Sequence, residues 1–178
     1  MKDSAVGNRY ALALFQLAKE HKLLDQLEDE LRVVREVVSQ STDLNLVLKS
    51  KKILKTEKKQ LIKNVFSSVN SYVLNTLLIL IDRHREDHII QMADHFIQLA
   101  NDERGIAEAK VISTRALSET EYEALSSTFA AKVGKKSLRI ENIVDSSLLG
   151  GIKVQIGNRI YDGSLKGKLE RLEHQLLS

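Results

Sequence analysis

The chain has no cysteine, no proline and no tryptophan, and aromatic residues make up only 4% of its 178 positions. Without cysteine there is neither a disulfide framework nor a thiolate metal centre, which is compatible with a reducing compartment. Without proline, glycine is left as the strong helix breaker, and glycine too is scarce at first. Gly7 stands alone before the others at 105, 134, 150, 151, 157, 163 and 167. An excess of one charge is also missing. The 27 basic and 24 acidic residues leave a net +3, short of the concentrated positive field of a dedicated nucleic-acid binder. Long apolar runs are absent as well. The densest, Leu77 to Ile81, meets Asp82-Arg83 at once and falls far below the roughly 20 residues a membrane span needs. The N-terminus lacks the apolar region of a secretory signal, so neither export nor direct membrane insertion is expected.

What is present is 43% apolar residues, enough for a core in one domain or two small ones. The first hundred residues read as helices. The first spans about Ser4 to Glu20. The second carries Leu24, Leu27, Leu31, Val34 and Val38 in steps of three and four, which is one stripe. A short third, Asp43 to Leu48, has Thr42 as its candidate cap, and the fourth starts near Thr56. The fifth covers about Asn70 to Arg83, and the sixth uses Ile89, Ala93, Phe96 and Ala100 before Gly105 supplies a stop. After Gly105 the period becomes two. Ala107, Ala109 and Val111 alternate with charges, Ser118 and Glu121 make a capping box for a helix bearing Tyr122, Leu125 and Phe129, and strands follow at about Leu138 to Val144 and Gly151 to Ile156. The expected fold class is mainly α, with an N-terminal six-helix bundle over residues 1–105 and a small α/β C-terminal domain over 106–178.

Chemistry is hard to find. Gly163 to Lys168 has the look of a phosphate loop, but that loop needs four residues between its glycines and a hydroxyl after the lysine; here there are three residues and Leu169. His84 and His88, with Glu86 between them and His95 downstream, lack the spacing of a zinc protease and read as a solvated turn rather than a metal site. No nucleophile elbow occurs. The expectation is a non-enzyme with no cofactor and no metal. Lysines at 49, 51, 52, 55, 58, 59 and 63, opposed by Glu57 alone, form the densest charge run. It reads either as a solubilising face or, since Phe66 is the one aromatic nearby, as a weak candidate for RNA or acidic partners.

The stronger anomaly is apolar excess. Helix one is apolar from Tyr10 to Phe15 and helix five from Leu77 to Ile81, more than the single stripe a surface helix needs. On helix one, Ala11, Leu14, Phe15 and Ala18 make an inward stripe, which leaves Val6, Tyr10, Ala13 and Leu17 as a second face. On helix five, Val73, Leu77, Leu78 and Ile81 point one way and Tyr72, Asn75, Ile79 and Asp82 another. Either both second faces are buried in the bundle, or an apolar groove stands open for a partner helix.

The last stretch, Asp145 to Leu177, is the most specific. Gly150-Gly151 opens an alternating strand (Ile152, Val154, Ile156), a Gly-Asn turn follows, and Asp162-Gly163-Ser164 leads into a helix with leucines at 165, 169, 172 and 176. These parts, with Gly167 and Leu169 in place, resemble the C-terminal signature of the delta subunit of bacterial F-type ATP synthase, the family of the oligomycin-sensitivity-conferring protein. Arg9-Tyr10-Ala11, Ala13-Leu14-Phe15 and Ala18 resemble the family's start, so the resemblance covers the whole chain. It implies a non-catalytic stator subunit, peripheral on the cytoplasmic face of the cell membrane, needed to couple proton translocation to ATP synthesis. It implies that helices one and five hold the N-terminal helix of an alpha subunit through Val6, Tyr10, Ala13, Leu17, Tyr72, Asn75 and Ile79. It further implies that the C-terminal domain holds the C-terminal end of the b subunit, around Leu149, Gly150, Gly151, Asp162, Gly163 and Ser164. One departure is the lack of a proline between Lys49 and Lys55, which bears on the geometry of helices three and four. The alternative from another class is a helical RNA-binding or regulatory adaptor using residues 49–63, whose complexes weaken steeply with salt.

Overall fold

In the computed structural model, which describes residues 4–50 and 52–169, the proline-free first part of the chain is helical almost throughout. The helices are α1 (Ser4–Glu20), α2 (Leu24–Gln40), α3 (Thr42–Lys49), α4 (Lys55–Val65), α5 (Ser71–Asp82) and α6 (Ile89–Arg104), with a 3₁₀ turn at Glu86–His88 before α6. The chain divides into two compact units between Ala100 and Asn101.

The first unit has one core. The α1 stripe Ala11, Leu14, Phe15 and Ala18 is buried in it together with Leu27, Leu31, Val34 and Val38 of α2 and Ile89, Ala93 and Phe96 of α6. Leu24 lies at its margin. The ring of Phe15 meets that of Phe96 edge-on, with centroids 6.0 Å apart, the geometry the ring quadrupoles favour. Gly7 lets α1 approach α6 closely, because a Cβ there would stand 3.1 Å from Cβ of Gln91 and 3.3 Å from the Met92 amide nitrogen. Two expectations need correction. The cap of α3 is Ser41, whose side chain accepts from the Leu44 amide, while Thr42 is already helical. On α5 the residues facing the core are Val73, Leu77, Leu80 and Ile81, and Leu78 is only partly buried. A segment apolar at five consecutive positions carries no phase of its own, so packing decides it. The missing proline does not prevent α3 and α4 from forming. Ser50 and Leu54 take φ of −66° and −67°, the value a proline ring would have fixed.

In the second unit, β1 (Ile106–Ser113), α7 (Glu119–Val133), β2 (Ser137–Val144), β3 (Ile152–Ile156) and β4 (Arg159–Asp162) build a sheet of order β2-β1-β3-β4. β1 pairs parallel with β2 and antiparallel with β3, and β3 pairs antiparallel with β4. Ala109, Val111, Leu138, Val154 and Ile156 pack with Ala130, Leu125 and Phe129 of α7. The Ser118–Glu121 capping box is formed, and Arg115 reaches the same carboxylate at 2.8 Å. Hydrogen bonds from Arg115 first, then Ser118, lower the Glu121 carboxyl to about 2, so the cap stays charged at neutral pH. Strand β4 is not among the sequence expectations. It is a short edge strand with Arg159 and Ile160 exposed. The sign of it was the Gly157-Asn158 pair: Gly157, at φ +56°, opens a two-residue loop between Ile156 and Arg159, as a hairpin with a glycine-first turn requires. Beyond it residues 165–169 are helical. Leu172 and Leu176 lie outside the described residues.

Candidate functional site

Helices α1 and α5 pack side by side, and polar and aromatic contacts pin them at both ends. Near the end of α5, the Arg85 guanidinium donates to the Tyr10 hydroxyl at 3.0 Å, with its carbon 5.8 Å from the ring centroid. Near the start of α5, Tyr72 stacks on His21, just past α1, with centroids 5.1 Å apart and planes 23° off parallel. The two pins make the helices antiparallel. In that register Ala13 and Leu17 face the level of Ile79 and Asn75.

Those four residues are the open part of the face. Ala13 and Asn75 are exposed, Leu17 keeps 39% of its surface and Ile79 keeps 47%. Val6, Tyr10 and Tyr72 are half-buried. The second faces are therefore not both consumed by the bundle. Inward, the same helices bury Ala11, Leu14, Leu77 and Leu80 almost completely, so the backbone under the open strip is anchored in the core. Asp82 stands at the end of the strip and is ion-paired with Lys59 of α4. What this arrangement can do chemically is bury apolar surface of an incoming element against a rigid two-helix floor.

The lysine run is not a uniform cationic face. Lys58 is buried, bonded to the Leu48 carbonyl and ion-paired with Glu86 at 2.8 Å, itself nearly buried. Lys55 caps the Asp82 carbonyl at 2.9 Å. A buried pair of this kind ties α4 to the α3 end and to the turn before α6, and removing one partner would strand the other charge. Lys51 lies outside the described residues, while Lys49, Lys52 and Lys63 are exposed.

His84 is exposed at φ +53°, and His88 has Nδ1 3.1 Å from Oε1 of Gln91. Among the described residues no group of three His, Cys, Asp or Glu side chains is placed to hold a metal ion, and no helix is long and apolar enough to cross a membrane.

In the second unit the signature residues converge on the start of the terminal helix. Ser164, 1% exposed, accepts from the Gly167 amide at 3.0 Å, and its own hydroxyl donates to Oδ1 of Asp162 at 2.7 Å. Ser164 is therefore the cap of that helix and Asp162 its orienter. The Leu165 amide donates to the Gly150 carbonyl at 2.9 Å, and the Gly163 amide to the Ile152 carbonyl at 3.0 Å. A Cβ on Gly151, whose φ is +77°, would lie 2.5 Å from the Gly163 carbonyl oxygen, and one on Gly167 would lie 2.9 Å from both Asp162 carboxylate oxygens. Gly151 serves close approach to backbone and Gly167 close approach to the Asp162 carboxylate, and the amides of Gly163, Ser164, Leu165 and Gly167 are already engaged rather than free to cradle a phosphate. Gly150, Gly151, Asp162, Gly163 and Ser164 are thus brought together as a fastening of helix to sheet. Leu149 next to them is 71% exposed, as are Leu165 at 49% and Leu169 at 57%. In the sequence Leu165 and Leu169 are not marked as surface, because apolar spacing shows a stripe without saying what covers it.

The chain is similar to known proteins along its length. The family described as ATP synthase delta (OSCP) subunit matches residues 6–176. ATP synthase subunit delta of Geobacillus sp. (strain WCH70) is 52% identical over 177 residues, covering 99% of each chain. That of Anoxybacillus flavithermus is 52% identical over 176 residues, again covering 99% of each. That of Bacillus cereus (strain B4264) is 49% identical over 177 residues, covering 99% of this chain and 98% of the relative. A chain of the Toxoplasma gondii mitochondrial ATP synthase hexamer, solved by cryo-electron microscopy, shares the fold with a TM-score of 0.73 at 19% identity, covering 97% of both chains.

Proposed function

The chain belongs to the ATP synthase delta (OSCP) subunit family, and from that premise we propose that its first unit receives the N-terminal helix of an alpha subunit of the catalytic head while its second unit holds the C-terminal end of the b-subunit stalk. As a family member it is a non-catalytic stator component of F-type ATP synthase, acting in ATP synthesis and ion transport. Its part is mechanical. A tether between head and stalk keeps the head from turning with the rotor, so that torque drives catalysis. The proposed position is peripheral, on the cytoplasmic face of the membrane, reached through its partners.

The observation that carries the alpha-subunit reading is the half-exposed apolar strip of Leu17 and Ile79 with Ala13 and Asn75, set between the two pins of α1 and α5. A helix laid there would bury three or four apolar anchors, worth about 5–10 kcal/mol gross before association costs. The RNA-binding alternative finds no support in the relatives, and Lys58 at the centre of the run is committed to Glu86 and the Leu48 carbonyl. For the stalk contact, the exposed Leu149, Leu165 and Leu169 beside the fastened glycines favour an apolar contact on the second unit.

A pull-down with the tagged full chain from detergent-solubilised membranes tests the reading. Recovery of both alpha and b subunits is expected, persisting in moderate salt; recovery of neither would refute it.

A further inference from the structure

Arg85 is built into its place. After α5 ends at Asp82, the chain turns through His84 at φ +53°, and the Arg85 amide donates back to the Leu80 carbonyl at 2.8 Å. This closure turns the half-buried Arg85 side chain onto Tyr10, the residue on α1 that pins the groove's end. Among the described residues its hydrogen-bond and ring partner is Tyr10, and no carboxylate pairs with it. Of the acids nearest in sequence, Asp82 pairs with Lys59 and Glu86 with Lys58, and the exposed Asp87 makes no ion pair with Arg85. A guanidinium has five donors in a fixed planar fork suited to a carboxylate, and one hydroxyl leaves most of that fork unused.

We propose that the Arg85 guanidinium, held against the Tyr10 hydroxyl at the end of the α1/α5 face, receives a carboxylate side chain of the helix that docks there, fixing its direction and register. The proposal rests on the reading that this face binds an amphipathic helix of the head. It adds a polar anchor to a surface otherwise apolar, and one anchor at one end is what an apolar strip lacks for telling one helix direction from the other. Tyr10 is then a positioning residue, because its hydroxyl orients the fork without meeting the carboxylate.

The test is a double-mutant cycle by calorimetric titration on the full chain. The probes are a synthetic peptide of the alpha-subunit N-terminal helix and the same peptide with every Asp and Glu replaced by its amide. For the wild-type chain, amidation should weaken binding about tenfold, as for a partly desolvated charge pair. Arg85→Gln should weaken the acidic peptide by a similar factor and be nearly indifferent to amidation. Arg85→Lys should recover part of the loss, and the wild-type difference should shrink with added salt. If Arg85→Gln weakens both peptides equally, Arg85 merely braces Tyr10 and the proposal is overturned. If the wild-type chain binds neither peptide, the groove reading fails and takes this role with it.

Discussion

Replacing Ile79 by glutamate is expected to lower the affinity of the full chain for the alpha-subunit N-terminal peptide by about tenfold to about a thousandfold, the cost of bringing an unpaired charge into an apolar contact. Ala13→Asp, on the neighbouring helix, should act alike. Both positions face away from the core, Ala13 being exposed and Ile79 keeping 47% of its surface, so the melting temperature should hardly change. Leu80→Glu, one residue on but fully buried, should instead unfold the unit. The contrast between adjacent positions separates a surface made for binding from a core made for stability. Unchanged affinity in both surface variants, by titration, would show the groove to be elsewhere.

A second large effect is expected at Gly151. An alanine there suffers twice, through the left-handed backbone at φ +77° and through a Cβ 2.5 Å from the Gly163 carbonyl oxygen, which is backbone and cannot swing aside. The combined cost should be about 2–5 kcal/mol. Gly134→Ala is the control: φ is +68° but nothing lies within 4 Å of its added Cβ, so only the backbone term of about 1–2 kcal/mol applies. Hydrogen exchange of β3 and β4 amides should rise far more in Gly151→Ala than β1–β2 amides do in Gly134→Ala. On the proposed division of labour, Gly151→Ala should also lose b-subunit binding while retaining the alpha-subunit peptide. Equal, small effects of the two alanines would mean that the close Gly151–Gly163 contact does not exist.

What could be read in the sequence follows from what each signal encodes. A period of three and four residues gives both the helix and its inward face, so α1, α2 and α6 and their buried stripes were legible. The period is lost where every position is apolar, and the phase of α5 came out with Leu78 in place of Leu80. Ser41 and Thr42 are chemically equivalent as caps, and only the backbone of Ser41, extended at ψ 100°, selects it. Strand β4 is four residues long with two exposed, too short for alternation to speak, although Gly157-Asn158 announced its turn. Gly150 and Gly151 were legible as a tight entry to the strand, where close backbone approach needs glycine. The contacts that sharpen the site were not, because Arg85 and Tyr10 are 75 residues apart and Lys58 and Glu86 are 28 apart. Charge and aromatic residues announce capacity to pair, and the fold alone assigns the partner.

ATP-driven ion pumping in membranes stripped of the native subunit, measured after adding back either the full chain or residues 1–105, tests the two-ended tether most directly. This fragment keeps α6 whole and all of the proposed groove, and omits the Gly150–Ser164 fastening. The full chain is predicted to restore pumping. The fragment, shown by peptide titration to be folded and to bind the head, is predicted to leave hydrolysis running without pumping, and full pumping with the fragment alone would contradict the account.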